Sequence, residues 1–340
     1  MKDIYPAIKK MLRSKKRFAM ATVISTWGSA PRPVGSVMLI AEDGTMAGSV
    51  SGGCVEGAVV KNALNVLTTM QPKLVSFGVT DDEAWQVGLS CGGAIQVFIE
   101  PYWAFTHPKM DKILRGCLDT NKGAIILTKL NSEAIEHHAV LPNDETNDAI
   151  DNQLKINALR AYNERKTQTL DIENGDKWFI RVVPPKHQLI IVGAAHITVD
   201  LVHLAHYFDF ETVVIDPRGI FAKKTDFPTP PHHLHVDWPA EVLPDLTLDA
   251  YTYAVLLTHD PKIDDQALHI LLQSNIAYIG CLGSKKTHEK RVKRLTEAGN
   301  REEDIAKINA PIGVDIRAKS AKEIALSIIA ELVKFKNQFL

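Results

Sequence analysis

The sequence is poor in cysteine, carries almost no net charge and contains no long apolar run. Four cysteines in 340 residues make no dense disulfide framework, which favours a reducing compartment. A formal net charge of -1 gives no reason to expect nucleic acid or an anionic membrane surface as a partner. No stretch approaches the roughly 20 apolar residues that span a bilayer. Residues 1–6 (MKDIYP) do not resemble a secretory signal. We therefore expect a cytoplasmic protein with no membrane or nucleic-acid partner.

A stiff break at residues 184–187 (PPKH) divides the chain, because consecutive prolines prevent a regular element there. A length of 340 residues is enough for two domains with separate cores. We therefore predict an N-terminal domain over residues 1–183 and a C-terminal domain over residues 188–340.

The two halves differ in their predicted secondary structure. In the first half, short apolar runs at 18–24 and 37–40 predict strands, and apolar residues at helical spacing predict a helix over 55–67. In the second half, strands such as 188–192 and 212–215 alternate with helices, which is typical of a parallel sheet. The predicted fold class is α/β, with an N-terminal mixed α/β domain followed by a Rossmann-like parallel-sheet domain.

Two glycine-rich loops in the first half each contain a cysteine. They are residues 51–57 (SGGCVEG) and 88–93 (GLSCGG), the second of which includes Gly92 and Gly93. Glycines allow positive φ and let backbone N–H groups approach a ligand closely. Cys54 and Cys91 are then candidates for an exposed nucleophile or a soft-metal ligand. The alternative is that the glycines form tight turns and each cysteine fills a core position.

The first of these loops directly precedes the predicted helix. The N–H groups of Gly52 and Gly53 would then lie near a helix N-terminus, which favours an anion or a thiolate. Glu56 has two interpretations: it orients or deprotonates a substrate group, or it is an N-terminal helix acid. Ser29 and Arg32, in a loop shaped by glycine and proline, are candidates for binding an oxyanion.

The second half contains an imperfect dinucleotide fingerprint. Gly193, Ala195 and Thr198 occupy the three glycine positions, and Asp216 ends the next predicted strand, where an acid binds ribose hydroxyls. The methyl group of Ala195 would lie where the backbone normally meets a pyrophosphate. The pattern favours a Rossmann-like domain more strongly than it favours NAD(P) binding.

Two further strand ends carry polar residues at the same predicted edge of the sheet. Thr258 and His259 follow one strand, and Gly283, Ser284 and Lys285 follow the next. Glycine, hydroxyl and lysine groups at a helix start can hold a phosphate. The alternative is turn formation with solvated surface charge.

Taken together, these motifs resemble the XdhC/CoxI family of accessory proteins for molybdenum hydroxylases. The match runs in order along nearly the whole chain. It is carried by residues 28–32 (GSAPR), 48–56 (GSVSGGCVE), 91–93 (CGG), 193–196 (GAAH), 214–218 (VIDPR), 258–260 (THD), 278–280 (YIG), 283–286 (GSKK) and 311–316 (PIGVDI).

The resemblance implies a non-catalytic chaperone that binds the molybdenum cofactor, as molybdopterin or its dinucleotide form. It implies a molybdenum hydroxylase similar to xanthine dehydrogenase and a cysteine desulfurase as partners, and a homodimer. Cys54 and Cys91 would face the metal or relay sulfur. The implied cofactor-binding residues are Ser29, Arg32, Gly52, Gly53, Cys54, Glu56, Cys91, Gly92, Gly93, Gly193, His196, Asp216, Thr258, His259, Gly283, Ser284 and Lys285. The alternatives are an NAD(P)-dependent oxidoreductase and a subunit of the xanthine dehydrogenase complex.

Overall fold

The computed structural model describes residues 1–53, 55–78, 93–131, 136–142, 150–172, 175–219 and 227–337. The chain divides into two compact units, Met1–Pro185 and Lys186–Leu340. The first contains antiparallel sheets and the second a parallel sheet, so the predicted fold class is confirmed.

The first unit contains nine strands and five helices among the residues described. Its strands are β1 (Phe18–Trp27), β2 (Val37–Ala41), β3 (Met46–Gly48), β4 (Lys73–Phe77), β5 (Ala94–Pro101), β6 (Ala124–Lys129), β7 (His137–Val140), β8 (Gln168–Asp171) and β9 (Lys177–Val183). Its helices are α1 (Tyr5–Arg13), α2 (Glu56–Thr69), α3 (Trp103–Thr106), α4 (Pro108–Asp119) and α5 (Asn152–Asn163).

The larger sheet of this unit has the order β3-β2-β1-β5-β4 and is antiparallel throughout. Both of its faces are covered, which explains why β1 is almost continuously apolar. Ala19 and Ala21 pack in a cluster with α2, whereas Phe18 and Met20 pack in a different cluster on the opposite face. Strand residues alternate between faces, so neighbouring residues of β1 belong to different cores.

The smaller sheet has the order β7-β6-β9-β8 and shares a core with the larger one. Buried Arg181 on β9 links the two sheets. Its guanidinium donates to the Thr22 hydroxyl at 2.7 Å and to the carbonyl of Gly35 at 3.1 Å. These bonds hold the loop that joins β1 to β2 against the smaller sheet.

The second unit contains a six-stranded parallel sheet among the residues described. Its strands are β10 (Gln188–Val192), β11 (Glu211–Ile215), β12 (His233–His235), β13 (Thr252–Leu256), β14 (Tyr278–Cys281) and β15 (Ile308–Asn309). Its helices are α6 (His196–Tyr207), α7 (Pro239–Val242), α8 (Pro261–Leu271), α9 (Lys285–Glu297), α10 (Glu302–Ile305) and α11 (Ala321–Asn337), with a 3₁₀ turn at Leu243–Asp245.

The strand order is β12-β11-β10-β13-β14-β15, which is the order of a dinucleotide-binding fold. Helices cover both faces of the sheet. Leu189 and Ile191 of β10 pack with α6 and α11, whereas Ile190 and Val192 pack with α8. The chain reverses direction along the sheet between β10 and β13, and ligands bind at such a point in open α/β sheets.

Among the residues described, no helix combines the length and the apolar composition needed to cross a membrane.

Candidate functional site

The loop after β3 is folded around the carboxylate of Glu56. One oxygen, Oε1, accepts from the Ser49 hydroxyl at 2.7 Å and from the N–H groups of Ser51 and Gly52, each at 3.0 Å. The other oxygen accepts from the Gly53 N–H at 2.8 Å and from the Ser51 hydroxyl. A single side chain therefore binds five donors of the loop that precedes it.

This arrangement depends on the start of α2 and on two glycines. Glu56 is the first residue of α2, where a negative charge is favoured by the helix dipole. Gly52 and Gly53 have φ values of 79° and 127°, in the region that side chains disfavour. Of the two interpretations left open for Glu56, the geometry favours the helix acid. The glycine N–H groups predicted to hold an anion donate to this carboxylate.

The same contacts change the acidity of Glu56. Burial raises the pKa of this carboxyl, but hydrogen bonds from the hydroxyls of Ser51 and Ser49 and from the Ser51 N–H outweigh it. The pKa falls from its usual 4.5 to about 2. Glu56 is therefore an anion at neutral pH, and its lone pairs are used by the loop.

Three segments of the proposed site meet at one end of the larger sheet. β1 ends at Trp27, which pairs with Ala94 at the start of β5. A Cβ atom on the preceding Gly93 would lie 2.9 Å from the Trp27 carbonyl oxygen and 3.1 Å from the Ala30 nitrogen. Real Cβ atoms essentially never approach as closely as the first distance, so only glycine fits at position 93. A Cβ on Gly52 would lie 4.0 Å from Pro31.

The outer surface of these segments combines an aromatic ring with polar groups. The Trp27 side chain is 73% exposed, and Ser29 and Arg32 are also exposed. Within the described part of the chain, no hydrogen bond or ion pair is found for the side chains of Ser29 and Arg32. This end of the sheet thus presents an indole face, a hydroxyl and a guanidinium to solvent.

The predicted metal ligands cannot be placed against this surface. Cys54, Cys91 and Gly92 lie outside the described residues. The other two cysteines, Cys117 and Cys281, are buried, and burial raises the pKa of the Cys281 thiol to about 12. In the described ranges no group of three His, Cys, Asp or Glu side chains is arranged to hold a metal ion.

In the second unit, the predicted residues follow the carboxyl ends of the strands. The turn after β10 touches the end of β13 at Gly193, which has a φ of 109°. A Cβ atom there would lie 3.0 Å from Thr258 Cγ2 and 3.2 Å from the Thr258 nitrogen. The Thr198 hydroxyl donates to the Gly193 carbonyl at 2.6 Å. The turn is therefore tightly closed at the point where the sheet reverses direction.

Asp216, at the end of β11, stabilises this turn by hydrogen bonding. Its carboxylate is fully buried and accepts from the Ala194 N–H at 2.8 Å. The Arg218 guanidinium donates to both of its oxygens, Nε at 2.9 Å and Nη2 at 2.8 Å. Burial raises the pKa of Asp216, but the bonds from Arg218 and Ala194 lower it overall. The sequence predicts that this carboxylate binds ribose hydroxyls. In the structure it forms an ion pair with Arg218, a residue for which the sequence predicts no role.

The remaining predicted residues lie around the starts of three helices. Exposed His196 is the first residue of α6. The Thr258 hydroxyl donates to Asp264 of α8 at 2.5 Å, and exposed His259 has a φ of 62°. Ser284 is the N-cap of α9 and accepts from the Thr287 N–H at 3.2 Å.

Gly283 and Lys285 flank Ser284 at the start of α9. Gly283 has a φ of 135°, and Lys285, the first residue of the helix, is exposed. One residue of this region that sequence reasoning missed is Arg291, which lies in a strongly basic helix but is only 3% exposed. Nothing in its sequence pattern distinguishes it from its solvated neighbours.

Comparison with known proteins agrees with this architecture along most of the chain. A model described as the XdhC Rossmann domain matches residues 189–332, and a model of the XdhC and CoxI family matches residues 11–78. The chain is similar to a Bacillus subtilis protein described as a probable xanthine dehydrogenase subunit, with 27% identity over 99% of both chains. It is 25% identical to the molybdenum cofactor insertion chaperone PaoD of Escherichia coli, over 96% of this chain and 85% of PaoD.

A solved structure from Bacillus halodurans, described as a xanthine dehydrogenase, is also similar. Its TM-score is 0.63 with 29% identity, and the match covers 99% of this chain and 96% of that chain. The fold and the strand-end residues define a two-part α/β protein whose second part is a Rossmann-like unit. The chain belongs to the XdhC and CoxI family, as its motifs predicted.

Proposed function

We propose that this protein is an accessory factor that binds the molybdenum cofactor, supports its sulfuration and delivers it to a molybdenum hydroxylase. The observation that carries the proposal is the exposed surface of Trp27, Ser29 and Arg32, beside the loop held by Glu56. The similarity to PaoD over 96% of this chain supports it, because that relative is named a molybdenum cofactor insertion chaperone.

The residue types on this surface fit the groups of the cofactor. A pterin ring can stack on the exposed Trp27 indole, and the Arg32 guanidinium can pair with a phosphate or another anionic oxygen. The Ser29 hydroxyl adds a further hydrogen bond. When bound, the cofactor supplies the molybdenum and dithiolene sulfur that the recipient hydroxylase needs. We propose that Cys54 and Cys91 face these soft atoms, since thiolates bind soft ligands.

The geometry gives Glu56 a positioning role in this function. By holding Ser51, Gly52 and Gly53, its carboxylate fixes the backbone that leads into Cys54. We propose that Gly92 and Gly93 do the same for Cys91, with Gly93 providing the close approach to Trp27. The protein would then hold its cofactor for transfer without a catalytic centre of its own.

We propose that the second unit has cofactor-binding residues of its own. Its residues at the strand ends are Gly193, His196, Asp216, Thr258, His259, Gly283, Ser284 and Lys285. Asp216 and Gly193 shape the turn, and the helix starts supply N–H groups suited to a phosphate. The proposed partners are a molybdenum hydroxylase similar to xanthine dehydrogenase and a cysteine desulfurase, with the accessory protein acting as a homodimer.

Two other functions make different predictions. An NAD(P)-dependent oxidoreductase needs a ribose ligand, yet Asp216 is engaged by Arg218 and Ala194. Micromolar affinity for NADH or NADPH in a titration would favour that function. A subunit of the xanthine dehydrogenase complex would co-purify with it in fixed stoichiometry. The chain has only four cysteines, and they are widely separated in sequence, which does not match iron–sulfur ligation.

Activation of a hydroxylase in a strain that lacks this protein tests the proposal. The wild-type chain should restore hydroxylase activity, and Cys54→Ser and Cys91→Ser should each restore it less while remaining folded. Cys117→Ala is a matched control, because Cys117 is buried in the core of the first unit. Full activity in the deletion strain, or full activation by both serine variants, would be incompatible with these roles.

A further inference from the structure

The second unit contains a cavity of about 250 Å³ between α8 and α9. It opens beside the carboxyl ends of β13 and β14. Its polar lining includes His259, Ser284, Lys286, Thr287, Lys290 and Arg291. Whole small-molecule ligands usually occupy about 300–1,000 Å³. The cavity is therefore suited to one charged group of a ligand.

Arg291 is the buried cation of this cavity. Its side chain is 3% exposed, and its Nη2 donates to the Leu282 carbonyl at 3.1 Å. Its Nε and Nη1 are buried and have no hydrogen-bond partner among the described residues. Leaving a charged donor buried and unpaired is costly, so native structures usually supply a partner. An anion in the cavity would be such a partner.

The other charges around the cavity leave it positive. Asp264 lies 3.7 Å from Arg291, and Asp265 forms two hydrogen bonds with Arg294. Within each pair the two charges cancel, so neither pair adds net charge to the cavity. Lys286 and Lys290 are exposed, and within the described part of the chain no ion pair is found for either. Two lysine charges therefore remain without an internal counter-charge.

The start of α9 adds a second source of positive potential. The helix has 13 residues and begins at Lys285, so the N-terminal end of its dipole lies beside Ser284 and Lys286 of the cavity lining. Ser284 uses its side chain as the helix cap. The first backbone N–H groups of a helix have no partner within it, and they commonly bind phosphate.

We propose that this cavity binds the phosphate or diphosphate group of a phosphorylated ligand, with Arg291, Lys290 and Lys286 as its cationic contacts. Bound phosphate oxygens would supply acceptors for the buried Arg291 guanidinium in the cavity lining, and the two lysines of α9 would pair with them. The inference concerns any phosphorylated ligand and does not rest on the molybdenum cofactor. The cavity shares His259 and Ser284 with the residues proposed above for the cofactor, and it adds Lys286, Lys290 and Arg291 of α9.

Calorimetric titration of the full-length protein with inorganic pyrophosphate tests the proposal, at an ionic strength held constant with sodium chloride. The double variant Lys286→Ala/Lys290→Ala should bind about tenfold more weakly than wild type, because two charge-assisted contacts are lost. Lys293→Ala is the matched control, since Lys293 is on the same helix but pairs with Glu297 outside the cavity. It should bind within about twofold of wild type. Arg291 is not substituted in this experiment, because replacing a buried cation would also change the stability of the fold.

Two results would overturn the proposal: no pyrophosphate binding by the wild-type protein, or equal loss of affinity in the double variant and in Lys293→Ala. Titrations with inorganic phosphate and with ADP distinguish the source of the group. Tighter binding of ADP than of pyrophosphate identifies a phosphate carried by a larger ligand. Tighter binding of pyrophosphate identifies the free anion. Cofactor retention by the first unit is measured separately, so failure here leaves the proposed function to its own test.

Discussion

At the scale of single residues, Glu56 shows how one side chain can organise a loop. It is the only acid in the first turn of α2, and it accepts from both serine hydroxyls and from three N–H groups of residues 49–53. Hydrogen bonds to a charged group are stronger than neutral ones. The loop that leads into Cys54 is therefore built on one carboxylate.

Replacing this acid should weaken the fold mainly above pH 4.5. Glu56→Gln keeps the shape but loses the charge, and we expect a loss of about 1–2 kcal/mol in the free energy of unfolding at pH 7. A carboxyl with a lowered folded-state pKa stabilises the fold above its unfolded value, near 4.5. That contribution disappears as the pH falls towards about 2, so the two proteins should converge in acid.

Urea unfolding of both proteins between pH 3 and pH 7 measures this difference. Glu164→Gln is a suitable control, because Glu164 forms an exposed pair with Arg160 on α5. Exposed i,i+4 pairs contribute only about 0.3–0.5 kcal/mol. A Glu56→Gln difference that stays constant with pH, or one no larger than the control, would rule out the role assigned to this carboxylate.

At the scale of elements, the turn between β10 and α6 depends on contacts from two neighbouring strand ends. Asp216 after β11 fixes the Ala194 N–H, and Thr258 after β13 packs against Gly193. This turn has the backbone shape of a dinucleotide fingerprint. Its acidic residue, Asp216, is paired with Arg218 and stabilises the fold.

Adding a methyl group at this turn should be more costly than adding one at an open turn. Gly193→Ala places Cβ 3.2 Å from the Thr258 backbone nitrogen, at a position that also has positive φ. Gly44 has a φ of 82° with nothing within 4 Å of its Cβ position, so Gly44→Ala tests the φ penalty alone. We expect about 1–2 kcal/mol for Gly44→Ala and about 2–4 kcal/mol for Gly193→Ala by urea unfolding. Equal losses would show that the contact with Thr258 is unimportant.

The sequence predicts some elements much better than others. β1, β2 and β10 were predictable because their residues are buried on both faces and form continuous apolar runs. β12 and β15 have only three and two residues, which is too short for any periodicity to be detected. Their pairing is decided by the neighbouring strands of the parallel sheet, which a local pattern does not contain.

The candidate site shows the same division. Glycines with positive φ and the acid after them could be predicted as a loop at a helix start, because local conformation determines those residue types. The partners of Glu56 and Asp216 could not, since an acid at a strand or helix end serves equally well for a ligand or for its own backbone. The burial of Arg291 was also missed, because the basic pattern of α9 is that of a solvated helix.

At the scale of the whole molecule, each unit has cores of its own. The two hydrophobic clusters of the parallel sheet contain residues of the second unit alone, and those of the larger antiparallel sheet contain residues of the first. Domains with their own cores can fold alone. We therefore propose that the two units are independent folding units.

Expression of residues 186–340 alone measures this independence. We expect the fragment to be monodisperse and to unfold in one cooperative transition, because both faces of its sheet are covered by its own helices. Circular dichroism during thermal unfolding provides the measurement. A fragment without a cooperative transition would show that its cores depend on the first unit.

The central claim is that the surface formed by Trp27, Ser29 and Arg32 holds a molybdenum cofactor. The most direct measurement is the pterin content of the protein after purification from a host that makes molybdopterin, by fluorescence of the oxidised pterin. We predict bound pterin in the wild-type protein and several-fold less in Trp27→Ala/Arg32→Ala. Lys73→Ala, which changes an exposed residue of β4, should retain the wild-type amount. Absence of pterin from the wild-type protein, or equal amounts in all three proteins, would contradict the claim.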